Sequence, residues 1–153
     1  DAIDAIIPTG VPEYGKALGV SFDDPVGSLD ILSQQVYPAM KQDIKQNYPE
    51  IWKRYITLAS KPVGISCEFC CGVGPIGINS KGDLNCGCAH APALHGLTLW
   101  LMKNTDYTDA EVLREVMKWK AIFFPRDLVG IGLQVAGGDT TSLKDLPGMV
   151  GGC

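Results

Sequence analysis

Residues 85–104 read Asn-Cys-Gly-Cys-Ala-His-Ala-Pro-Ala-Leu-His-Gly-Leu-Thr-Leu-Trp-Leu-Met-Lys-Asn. Two kinds of information meet here. The first half carries Cys86, Cys88, His90 and His95, and with them both histidines of the chain. The second half carries Leu94, Leu97, Trp100 and Leu101 at spacings of three and four, the period of a helix face. The spacing predicts a helix over about 92–104, with soft metal-ligating side chains gathered at its N-terminal end.

The flanking sequence extends the helical pattern. Upstream, Ser28 can cap a helix whose apolar face is Leu29, Leu32, Val36, Met40 and Ile44. Pro38 lies inside that pattern and is expected to kink or split it. Pro49 suits the first turn of another helix, with Ile51, Trp52, Tyr55, Ile56 and Ala59 as its stripe and Lys53 and Arg54 facing water. Downstream, Thr108-Asp-Ala-Glu111 is a capping box. The helix it starts buries Val112, Leu113, Val116, Met117, Trp119 and Phe123, and Pro125 stops it. Residues 126–136 fit a helix or a strand, the helix preferred. Trp52, Trp100 and Trp119 read as core residues before they read as a binding box.

The expected fold class is mainly α. It is a small helical domain with a Cys-rich loop and a short, zinc-knuckle-like β-hairpin inserted between helices. The hairpin is expected from Ile76-Gly-Ile78, a turn at 79–82 and Asp83-Leu84-Asn85. The expected organisation is an extended Gly/Pro-rich arm over 1–27, a helical domain over 28–138 and a loop-like tail over 139–153.

Five of the six cysteines fall between Cys67 and Cys88. Even spacing along the chain would suggest a disulfide framework; dense clustering suggests a metal or redox site. The tight turn of Cys67-Glu-Phe-Cys70 lets two sulfurs face one ion, and Cys86, Cys88 and His90 supply a second group after the hairpin. Tetrahedral zinc sites need four such converging ligands, with Zn–S distances of about 2.3 Å. The positive end of the following helix would favour thiolates there. The candidate ligands are therefore Cys67, Cys70, Cys86, Cys88, His90 and His95. His95 lies five residues beyond His90, a poor same-face spacing on a helix.

These groups exceed one tetrahedral shell, so a disulfide accompanies the site or more than one ion binds. Cys71 is expected to pair with the terminal Cys153, stapling the tail; a free or intermolecular thiol is the alternative for Cys153. Thiol-rich ligation suits Zn first, then Cu, with an iron-sulfur cluster as a further option, and not Ca or Mg. The spacing matches neither a haem-attachment motif nor a ferredoxin. No nucleophile elbow or EF-hand pattern occurs.

The chain has 153 residues, enough for one domain with a real core. Its net charge of -4 speaks against binding nucleic acid or an anionic membrane surface. No run of about 18 apolar residues is present, so no membrane span is expected. The first residue is Asp1 rather than Met, which with the cysteine usage leads to an expectation of a processed, extracytoplasmic protein: secreted, periplasmic or surface-anchored.

At Cys86-Gly-Cys88 and the helices after it, over residues 86–125, the chain resembles extracytoplasmic proteins with a PCYCGC motif. It departs from them where Asn85 precedes the first cysteine and in carrying Cys67–Cys71. The resemblance implies a small secreted or lipid-anchored protein that handles metal. The expected function is thus extracytoplasmic transition-metal binding, with metal handling or a metal-stabilised structure as its purpose and the metal ion as partner. Two other functions fit the same residues. One is a self-associating subunit of a surface or filament assembly, stapled by metal and disulfides. The other is a thiol-disulfide redox protein using Cys67 and Cys70, although no βαβ pattern surrounds them.

Overall fold

The structure is a computed structural model and describes residues 6–62, 65–66, 76–85, 87–137 and 141–151. It is mainly helical. The helices are α1 (Gly15–Leu18), α2 (Pro25–Asp30), α3 (Tyr37–Asn47), α4 (Pro49–Ala59), α5 (His90–Asn104), α6 (Asp109–Phe123) and α7 (Pro125–Ala136), with a π-helical segment at Ile31–Val36 and a 3₁₀ turn at Thr141–Asp145.

The arm is less irregular than its glycines and prolines suggest. It carries the single turn α1 and packs on the body through Tyr14, Val20 and Phe22. Asp24, not Ser28, caps α2: its side chain accepts from the Gly27 N–H, and Pro25 takes the first helical position. Ser28 instead ties the arm down, donating to the Ser21 carbonyl at 2.9 Å and accepting from the Ser21 N–H at 3.0 Å.

Pro38 does not split the helix. The run continues from α2 through the π-helical segment into α3, and the Tyr37 N–H reaches back five residues to the Leu32 carbonyl. A proline in a helix loses one hydrogen bond and presses its ring on the preceding carbonyls. The wider π winding just before Pro38 relieves that crowding, so the helical run continues through the proline without a break.

Helix α5 is the centre of the molecule. Eleven of its fifteen residues are buried, which marks a helix surrounded on all sides rather than one with a single apolar stripe. It contacts α2, the π-helical segment, α3, α4 and α6. It approaches the preceding helical run closely at Gly96, where a Cβ would lie 2.9 Å from the Leu32 carbonyl oxygen and 2.9 Å from Tyr37 Cβ. Only glycine lets the two backbones meet there.

The capping box of α6 forms as expected: Thr108 Oγ1 accepts from the Glu111 N–H at 3.2 Å and a Glu111 carboxylate oxygen accepts from the Thr108 N–H at 3.1 Å. Its buried face differs from the expected one. Met117 is 39% exposed, while Glu115 and Lys120 are buried. Glu115 is matched by polar partners: the Tyr14 hydroxyl donates to it at 3.0 Å, Lys118 Nζ lies 2.9 Å away, and Trp119 Nε1 donates to the Tyr14 oxygen at 2.9 Å. A carboxylate so partnered can be buried without a large desolvation cost. Residues 125–136 are helical, so the preferred reading of that stretch holds. Arg54 does not simply face water; it bridges to the Tyr107 carbonyl and to Asp109, each at 2.8 Å.

The expected hairpin shrinks to a turn closed by one antiparallel bridge, Ile78 with Leu84, and no strand forms among the described residues. Asn79 organises the turn: its side-chain oxygen accepts from the Lys81 and Asp83 N–H groups, and Gly82 adopts a positive φ of 87°. Lys41 pairs with Asp83 at 2.9 Å, and Gly82 lies against the Trp52 ring. The turn is therefore fastened to α3 and α4 by side chains and needs no sheet.

Candidate functional site

His95 sits one and a half turns into α5 and is wholly buried. Its Nδ1 shares a 2.8 Å hydrogen bond with the Tyr55 hydroxyl of α4, and the two rings meet edge to face with centroids 5.8 Å apart. Its Nε2 has no hydrogen-bond partner among the described residues. Burial alone pushes the imidazole down to about 3, so it is neutral at physiological pH. A buried polar atom without a partner costs about 1–3 kcal/mol and calls for a reason.

The surroundings of Nε2 bear on that reason. A Cβ placed on Gly77 would lie 3.4 Å from His95 Nε2 and 2.9 Å from Ser66 Cβ. Asn85 donates its N–H to the Gly77 carbonyl at 2.8 Å. Ser66 immediately precedes Cys67, Gly77 follows the 67–75 segment by two residues, and Asn85 immediately precedes Cys86. Ser66 and Asn85, which lead into the two cysteine groups, thus meet at Gly77, and Gly77 lies beside the imidazole nitrogen.

His90 points elsewhere. Helix α5 starts at His90, two residues earlier than the sequence suggests, and five residues on a helix turn a side chain by about 140°. His90 packs between Phe123 and Phe124, with ring centroids 5.2 and 4.9 Å away. Its Nε2 donates to the Val150 carbonyl at 2.8 Å, which commits that nitrogen to a proton. Burial lowers its pKa, and the hydrogen bond to Val150 opposes that shift. The structure separates the two histidines rather than joining them.

The same contact gives the tail an order that a loop-like reading lacks. Val150 donates to the Phe123 carbonyl at 2.7 Å, and Arg126 donates from its side chain to the Leu146 carbonyl at 2.9 and 3.1 Å. Gly151, with φ of 79°, lies against Leu29 and His90. Val150 and Gly151 thus lie against the first turn of α5.

Cys88 is buried in the core just ahead of α5. Cys67, Cys70, Cys71, Cys86 and Cys153 lie outside the described residues, as do Glu68 and the expected pairing of Cys71 with Cys153. Among the described residues no three of His, Cys, Asp and Glu gather as a metal-binding group. Sequence reasoning missed Tyr55, which read as part of an apolar stripe, and Gly77, which read as part of a hairpin strand. No local signal reveals either: Tyr55 and His95 are 40 residues apart. No protein-family model, curated protein or solved structure matches the chain.

Proposed function

We propose that the protein binds a transition metal ion, Zn or Cu, through His95 Nε2 and thiolates of the Cys67–Cys70 and Cys86–Cys88 groups, and that it works outside the cytoplasm. The observation that carries this reading is the fully buried Nε2 of His95, without a hydrogen-bond partner among the described residues and lying beside Gly77, which itself meets Ser66 and Asn85. A neutral imidazole with one nitrogen held by a hydrogen bond and the other unpartnered is arranged as metal-ligating histidines are. Thiolate and imidazole donors select Zn(II) or Cu(I) over oxygen-loving cations. In this reading the turn closed by the Ile78–Leu84 bridge stands where a knuckle's hairpin was expected. His90 stands apart, with its Nε2 occupied by the tail.

The test is elemental analysis of full-length protein purified under reducing, anaerobic conditions, followed by titration with Zn(II) and Cu(I). The expected result is about one tightly held ion per chain in the wild type, less in His95→Asn, and no loss in His90→Asn. Wild-type protein that is folded, reduced and indifferent to both metals refutes the proposal.

A further inference from the structure

We infer that Tyr55 is the positioning residue of the metal centre: it fixes the His95 ring so that Nε2, and not Nδ1, takes the ion. This deepens the metal-binding reading and rests on it. Histidine can ligate through either nitrogen, and the choice is set by what the other nitrogen bonds. Here the choice is made by a side chain from a different helix. The Tyr55 hydroxyl meets Nδ1 at 2.8 Å, whereas Nε2 lies beside Gly77 with no hydrogen-bond partner among the described residues.

Tyr55 is suited to this role in three ways. It is wholly buried, and its ring is braced by Trp52 at 5.2 Å between centroids and by His95 itself, so the hydroxyl has little freedom to move. A tyrosine hydroxyl, with an ordinary pKa of about 10, is neutral at physiological pH. A neutral hydroxyl also both donates and accepts. It can donate to Nδ1 while the ring proton is on Nε2. Once an ion occupies Nε2, the ring proton sits on Nδ1 and the Tyr55 oxygen accepts it. The pair can therefore follow either tautomer without losing its hydrogen bond, and no proton is gained or lost by the ring in the exchange. A phenylalanine in place of Tyr55 would keep the packing and remove only this partner.

The experiment uses full-length, reduced protein labelled with ¹⁵N and loaded with ¹¹³Cd(II), a spectroscopic substitute for Zn(II). In the wild type, the cadmium–nitrogen coupling is expected at His95 Nε2, with the proton on Nδ1. In Tyr55→Phe, a native circular-dichroism spectrum is expected together with Zn(II) affinity about 10- to 100-fold lower, the range typical of losing a partner behind a ligating histidine. Coupling at Nδ1 overturns the inference, as does unchanged Zn(II) affinity in a folded Tyr55→Phe variant; either result leaves metal binding itself intact. Should Tyr55→Phe fail to fold, the wild-type coupling decides alone. A wild-type chain that takes up no Cd(II) defeats the metal reading, and this inference with it.

Discussion

Replacing Gly96 by alanine measures how closely α5 lies on the π-helical segment, and so how firmly His95 is placed. The new Cβ would stand 2.9 Å from the Leu32 carbonyl oxygen, 2.9 Å from Tyr37 Cβ and 3.0 Å from Tyr37 Cα. None of these is the flexible end of a side chain. The Leu32 carbonyl is held by the Tyr37 N–H, so it cannot turn aside without breaking that bond. Overpacking of this kind costs up to about 3 kcal/mol. Alanine recovers about 1 kcal/mol of that through its better helix propensity. The expected net loss is about 2 kcal/mol, or a fall in Tm of roughly 4–8 °C for a chain of this size. Gly130→Ala in α7 is the matched control: its Cβ would meet only the Leu143 Cδ1 methyl at 3.3 Å, which can swing away. That variant should gain up to about 1 kcal/mol. Thermal and urea melts of the metal-free proteins, followed by circular dichroism, read both. A Gly96→Ala protein as stable as the wild type would show that the helices do not approach as described, and would remove the argument for the position of His95.

Three other outcomes are expected. Gly77→Ala puts a methyl 3.4 Å from His95 Nε2 and 2.9 Å from Ser66 Cβ, so it should lower the melting temperature by overpacking, and Zn(II) uptake by the protein that is still folded should drop about tenfold or more; undiminished uptake would place the ion elsewhere. Tyr14→Phe leaves Trp119 Nε1 without its acceptor and takes one partner from buried Glu115, which should cost about 2–4 kcal/mol in urea unfolding; a loss below about 0.5 kcal/mol would show that the network contributes little. Acid should destabilise the metal-free chain. His95, faced by the neutral Tyr55 hydroxyl, has its folded pKa pushed down to about 3 from an ordinary 6.5, so the unfolded chain takes up the proton first. That stability is whole above pH 6.5 and drains as pH falls toward 3, the loss reaching about 2 kcal/mol at pH 5. His95→Leu should flatten this slope, and an unchanged slope would assign the acid sensitivity to other groups.

Much of this protein is determined by local sequence. Apolar residues at spacings of three and four, the Thr108–Glu111 capping box, Pro49 at a helix start, Pro125 at a helix stop and Asn79 with Gly82 at the turn each act within a few residues, and the corresponding elements form. The clustering of cysteines and histidines in 67–95 is likewise visible before any folding. What only the tertiary structure decides is which of these groups can share a site. One helix carries His90 and His95, and its rotation sends the first to the tail and the second to Tyr55. Pro38 is absorbed because a π-helical turn precedes it, and α5 is central because Gly96 admits a second backbone. The physical reason is reach: helix propensity and turn chemistry depend on neighbours in sequence, whereas an imidazole's tautomer and burial depend on atoms that close packing brings from 40 residues away.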